Sequence, residues 1–163
     1  MIEKTLVLIK SDGVERGISG EIISRFERAG FKIIGMKMVW VNDDFARKHY
    51  SEEIEKKHGK EVRERIIDYI KEGPVIAMVL EGINAVENVR KMVGSTYPNE
   101  AMPGTIRGDY AHISKIYANE NKRHVKNLVH ASGNKEDAKV EIPLWFSKRE
   151  LYDYSTTNQK HIR

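Results

Sequence analysis

The chain has 163 residues, a formal net charge of +4, an isoelectric point near 9.2 and no cysteine. The missing thiols exclude disulfides and cysteine-based zinc sites, and the length suits a single domain over residues 1–163 with a core of its own. No apolar run approaches the roughly 20 residues of a membrane span, and Met1-Ile2-Glu3-Lys4 lacks the basic segment and apolar core of a signal peptide, so a cytoplasmic protein without membrane contact is expected. The positive balance suits phosphate-bearing ligands but is too small to diagnose a nucleic-acid partner.

Residues 3–9 are rich in Thr, Val, Leu and Ile without strict alternation, which predicts a strand buried on both faces and ended by Lys10. A glycine-spaced loop leads to a helix from Ser19, with Ile22, Ile23, Phe26 and Ala29 on one side and Gly30 as its stop. From Phe31 to Val41, Ile34, Met36, Met38 and Trp40 recur at period two, predicting a strand whose Met-rich face is core or subunit contact. Asn42 or Asp43 can cap a short helix carrying Phe45, His49 and Tyr50, and a charged helix follows through Ile66, Ile67 and Ile70.

Gly73-Pro74 opens a strand from Val75 to Leu80, and an amphipathic helix from about Asn84 to Val93 turns Val86, Val89 and Met92 inward, with Arg90 near its end. Residues 94–106 hold two prolines and two glycines and read as an ordered functional loop. After Arg107 an irregular polar stretch precedes a strand at Asn127, and a last helix runs from an Asn134 cap towards Val140. The order β-α-β-(α)-β-α-(loop)-β suits a ferredoxin-like α+β sandwich, a four-stranded antiparallel sheet with its covering helices on one side.

The run Asn127-Leu128-Val129-His130-Ala131-Ser132-Gly133 carries chemistry. Two apolar β-formers lead to a histidine, and small residues then turn the chain, leaving the imidazole at the lip of a sheet as a candidate nucleophile. Lys10, Arg90, Thr96 and Arg107 each adjoin turn residues and together would form a polyanion pocket facing that ring. Neither G-x-x-x-x-G-K-[ST] nor G-x-G-x-x-G is present, so cationic side chains must do what backbone amides do in a phosphate loop. No histidine pair has H-x-x-x-H spacing, and no protein-built metal site is expected.

Four motifs resemble the nucleoside diphosphate kinase family: Asn-x-x-His-Ala-Ser at 127–132, Pro-Gly-Thr-Ile-Arg-Gly-Asp at 103–109, the opening run from Thr5 to Gly17, and Gly73-Pro74-Val75. The resemblance implies the ferredoxin-like fold and transfer of a γ-phosphate from a nucleoside triphosphate to a nucleoside diphosphate, by a ping-pong route through a phosphohistidine at His130. It implies that Lys10, Arg90, Thr96 and Arg107 bind phosphates, that Lys10 and Asn127 reach the sugar hydroxyls, and that Glu141, held by Ser132, orients the histidine. Tyr50 stands at the family's tyrosine position, near the histidine or the transferred group. Mg2+ bridging the phosphates and a homo-oligomer, hexamer or tetramer, with contacts around Pro98, are further implications.

Departures accompany the match. Gly133 stands where the family has Asp, Ser11 where it has Pro, and Val62 nearest the Phe that stacks on the base, while the segment from Asp109 to Asn127 is longer than usual. They motivate an alternative, a catalytically weak nucleotide-binding or scaffold member of the same family. A nucleic-acid-binding ferredoxin-like module is a third class, for which the strands offer no aromatic pattern.

Overall fold

The structure is a computed structural model that describes residues 1–162. At its centre lies β1, Ile2–Ile9, in which every residue from Thr5 to Ile9 is fully buried, as expected of a strand apolar on both faces. With β2 (Lys32–Val39), β3 (Val75–Ile83) and β4 (Val129–Ala131) it forms a sheet of order β2-β3-β1-β4, antiparallel at every pairing. Around it are α1 (Ser11–Glu15), α2 (Ser19–Arg28), α3 (Asp43–His49), α4 (Glu52–His58), α5 (Lys60–Lys71), α6 (Ala85–Val93), α7 (Ile106–Tyr110), α8 (Lys115–Glu120), α9 (Lys135–Trp145) and α10 (Gln159–Ile162). None of these helices is long and apolar enough to cross a membrane.

The four-stranded antiparallel sheet is the expected ferredoxin-like plan, but the expectation of helices on one side is corrected. Leu6 and Leu8, with Val75, Ala77 and Val79 opposite, pack on Ala46, Ile67, Ile70 and Trp145 from α3, α5 and α9. Val7 and Ile9, with Met78 and Leu80, pack on Ile22, Phe26, Val89 and Ile106 from α2, α6 and α7. Both parities of the central strands are apolar, so both faces need cover.

Other boundaries also move. A bulge between Ile33 and Gly35 breaks the period-two face of β2: Ile34 turns into the core, whereas Met36, Met38 and Trp40 are 46%, 60% and 68% exposed. The charged helix is two helices, α4 and α5, divided at Gly59, whose φ of +89° favours glycine. The stretch after Arg107 is not wholly irregular, since Ser114 Oγ accepts from Tyr117 N at 3.0 Å and starts α8. The last helix runs on to Trp145 past Pro143, and its first turn is capped as expected, with Asn134 Oδ1 accepting from Asp137 N at 2.7 Å.

Candidate active site

His130 stands directly opposite Leu8, so its side chain shares Leu8's face and meets α3 and α9. There His130 Nε2 lies 2.9 Å from Glu141 Oε1 on α9, and Ser132 Oγ donates to Glu141 Oε2 at 2.6 Å while accepting from Leu6 N at 3.2 Å. Burial alone would raise the Glu141 pKa, but the His130 charge and the bonds from His130 and Ser132 outweigh it and hold the carboxylate below its ordinary value. An ionised carboxylate only accepts, so the proton of the neutral imidazole sits on Nε2 and the free lone pair on Nδ1.

The ring of His49, the last residue of α3, lies edge-on to His130, with centroids 4.8 Å apart and planes at 82°. Burial, reinforced by the His130 charge, pushes the His49 pKa down to about 3, so this ring is neutral. Trp145 Nε1 donates to its Nδ1 at 3.2 Å, which leaves the His49 proton on Nε2. His49, His130 and Glu141 bring one ligand atom each within 4.8 Å of one another, a grouping that sequence spacing does not reveal. Metal-bound histidines donate their other N–H outward, whereas the outer nitrogen of His49 accepts, so its chemistry is that of a donor rather than a ligand. Tyr50 follows at the helix end, buried, its ring 4.6 Å from that of His49. Its hydroxyl pKa is raised by burial and then by the Glu141 charge, which keeps the phenol protonated.

The cations gather where the chain enters β4, within electrostatic reach of His49 and Tyr50. Lys10 Nζ donates to Asn127 Oδ1 at 2.8 Å, and burial, with the Arg107 charge adding to it and Asp12 opposing it, brings its pKa down to about 7. Arg107 is buried at the start of α7, where its guanidinium donates to the carbonyls of Gly94 (3.0 Å), Asn127 (3.1 Å) and Val129 (2.6 Å). Its remaining N–H groups are left for an anion. Asn127 Nδ2 donates to the Thr96 carbonyl at 2.9 Å, tying the 94–105 loop to β4. Arg90 is exposed, lies within electrostatic reach of Arg107 and lines a groove with Gly133. Thus Lys10, Asn127, Arg107 and Thr96 are joined by direct bonds, His130, Ser132 and Glu141 form a second bonded set, and Arg90 and Tyr50 flank them. Sequence reading missed His49, Trp145, Asp12 and Tyr69; His49 could have been flagged by its place beside Tyr50.

The departures have local explanations. A Cβ on Gly133 would come 2.5 Å from Asp137 Oδ2, so the space an aspartate would use here belongs to another carboxylate. Ser11 is buried at the start of α1, its Oγ 3.5 Å from the Tyr69 carbonyl. Val62 lies on the exposed side of α5. The long segment contributes α8 and docks on α5 and the turn after it through Asn119 to Arg65 and through His124 and Lys126 to Glu72.

Residues 3–151 match the family model described as nucleoside diphosphate kinase. The nucleoside diphosphate kinase of Pyrococcus furiosus is 51% identical over 155 residues, 94% of this chain and 88% of that one. Among solved structures, a transition-state mimic of the Borrelia burgdorferi nucleoside diphosphate kinase with bound vanadate and ADP superposes with a TM-score of 0.97 at 41% identity, over 99% of this chain and 96% of that one. A halophilic nucleoside diphosphate kinase from Halobacterium salinarum in complex with CDP gives 0.86 at 34% identity, over 100% and 99%. The Borrelia match leaves almost nothing of this chain unaligned, so the lengthened segment is shared with that relative. With its nucleophile motif, its cationic pocket and these relatives in agreement, the chain belongs to the nucleoside diphosphate kinase family, enzymes that move a terminal phosphate between nucleoside tri- and diphosphates.

Proposed function

We propose that residues 1–163 act as one domain in which Nδ1 of His130 carries the phosphoryl group in a ping-pong exchange. The observation that supports this most directly is the bond between His130 Nε2 and Glu141, because it leaves the Nδ1 lone pair as the nucleophile. Attack on the γ-phosphorus of a nucleoside triphosphate forms the P–N bond as the β–γ bridging P–O bond breaks, and the diphosphate leaves. The positive charge that develops on the imidazole is met by Glu141, whose second oxygen Ser132 holds. An acceptor diphosphate then attacks the same phosphorus with a terminal oxygen, and the electrons of the P–N bond return to Nδ1.

Lys10, Arg90 and Arg107 neutralise the phosphate oxygens, and Thr96 adds a hydroxyl. Lys10 and Asn127 take the sugar hydroxyls, and Tyr50 donates towards the transferred group. Mg2+ enters on the nucleotide as part of the substrate. Asp12 and Glu141, the site's carboxylates, have both oxygens bonded already, and its remaining ionic donors are cations. The reading places the protein in the cytoplasm as a homo-oligomer, hexamer or tetramer, with the exposed Met36, Met38 and Trp40 suited to a subunit contact.

Incubation with γ-labelled ATP and Mg2+ tests it. An acid-labile, base-stable protein label that a nucleoside diphosphate removes, and that a His130→Gln variant never acquires, is expected; an unlabelled parent refutes it.

A further inference from the structure

The strand that carries His130 begins with an improbable bend. Leu128 has a φ of +69°, and Val129 N donates to Asn127 O at 2.7 Å across it, which closes a three-residue γ-turn of the positive-φ kind. A residue with a β-carbon resists that conformation, so the surroundings must impose it. The imposing bonds are all present. Lys10 N donates to the Leu128 carbonyl at 2.7 Å, and Leu128 N donates to Asp12 Oδ2 at 3.2 Å. The other oxygen of Asp12 accepts from the Tyr69 hydroxyl at 2.6 Å, and that hydroxyl accepts from Asn127 N at 3.2 Å. Every backbone N–H from Asn127 to Val129 is therefore engaged, two of them by the Tyr69–Asp12 pair.

Tyr69 serves the cationic side as well. Lys10 Nζ lies 4.6 Å from the centroid of its ring and donates to the Asn127 side chain, so one aromatic side chain contacts both the turn and the lysine. The His124 ring, from the lengthened segment, stacks on Tyr69 at 5.4 Å and 10°, and its Nε2 is held by Glu72 at 3.0 Å. Both oxygens of Asp12 and the hydroxyl of Tyr69 are already taken by these bonds, so the pair acts on the turn.

We propose that Tyr69, acting through Asp12, is a positioning residue of this enzyme: it holds the strained turn at Leu128 that aims His130 and seats Lys10 and Asn127 beside it. The proposal rests on the reading of His130, Lys10 and Asn127 given above. The lengthened segment, through His124, buttresses the ring from outside the pocket.

The test uses the intact enzyme and a Tyr69→Phe variant, which keeps the ring under Lys10 and the stack with His124 but removes both bonds of the hydroxyl. The phosphoenzyme should form about 10- to 100-fold more slowly in single turnover, the range for losing a charge-assisted hydrogen bond, with the fall in kcat and a change in KM of no more than a few-fold. Asp12→Asn, which keeps one acceptor oxygen and loses the charge, should slow the same step. The double variant should cost little more than the worse single one, because the two residues act as a unit. Asp12→Asn should also bring the alkaline limb of kcat/KM to lower pH, since among the groups facing Lys10 (Arg107, the neutral His49, the Tyr69 ring and Asp12) it is Asp12 whose negative charge favours the ammonium against burial and Arg107. Tyr69→Phe, which leaves that charge in place, should not. If Tyr69→Phe fails to fold, the Asp12→Asn rate decides. A parent that labels on His130 alongside a folded Tyr69→Phe that labels as fast overturns this proposal alone; a parent that never labels overturns it together with the site reading.

Discussion

Replacing Glu141 by Gln isolates the electrostatic partner of the nucleophile without changing its shape. The carboxylate is 2.9 Å from His130 Nε2 and accepts from Ser132 at 2.6 Å, and it is mostly enclosed, with a side-chain exposure of 15%. Glutamine can present its oxygen to His130 Nε2, but its amide then faces the Ser132 hydroxyl, which must turn away from it. What is lost is the difference between a charged and a neutral hydrogen bond plus one bond from Ser132, together about 1.5 to 3 kcal/mol of support for the imidazolium that forms on phosphorylation. That predicts phosphoenzyme formation slower by roughly 10- to 100-fold, read by rapid quench with γ-labelled ATP, and nucleotide affinity within a few-fold of the parent. Stability should follow the same group. A carboxyl whose folded pKa is depressed stabilises the fold above its ordinary value of 4.5, and the contribution is lost as the pH falls through the folded pKa, so the parent should lose its thermal advantage over Glu141→Gln in that acidic window. A Glu141→Gln enzyme that phosphorylates at the parental rate refutes the role assigned to this pair.

Other outcomes follow from single contacts. Lys10, held near pH 7 in the free site, should take up a proton when a polyphosphate binds at pH 8 to 9, visible by calorimetry in buffers of different ionisation enthalpy; binding heats that do not depend on the buffer contradict it. The same depressed lysine costs stability while the folded state must hold its proton. The nucleotide-free melting temperature of the parent should therefore gain on Lys10→Met as pH rises from about 7 towards 10.5, and a constant gap contradicts this. Gly133→Asp should lose no more than about 1 kcal/mol in denaturant unfolding, because the atom 2.5 Å from its Cβ is the end of the exposed Asp137 side chain, which can rotate away and leaves only like-charge repulsion, and Asp137→Ala in the same chain should remove that; a loss of several kcal/mol contradicts the explanation given for this departure. Met38→Glu on the exposed face of β2 should lower the particle mass measured by light scattering if that face joins subunits, and an unchanged mass counts against it.

The parts of this fold that could be read in advance are those where local chemistry and tertiary context agree. An unbroken apolar run can only be β1, Asn42 caps α3 by accepting from Phe45 N at 2.9 Å, and small residues after His130 turn the chain at the end of β4. The face of β2 misleads because one bulge at Gly35 exchanges inside for outside, and no periodicity announces a bulge. The long segment hides α8 because six residues carry too little pattern to outweigh its polar composition. Within the site, His130, Lys10 and Arg107 were legible because each sits in a motif. Asp12, Tyr69, His49 and Trp145 were not, since what matters about them is a partner up to 116 positions away, as with Leu128 N and Asp12. The His49 tautomer comes from such a partner, Trp145, 96 positions away; for His130 the sequence names Glu141 but not the ring nitrogen it holds, which is why a sequence can name a nucleophile without saying which of its nitrogens attacks.

That last point supplies the most direct test. If Glu141 fixes the proton on Nε2, the phosphoenzyme made from a nucleoside triphosphate carries phosphorus on Nδ1 of His130, as 31P–15N correlation of the ring-labelled protein can read. Phosphorus on Nε2, or on any other residue, contradicts the account.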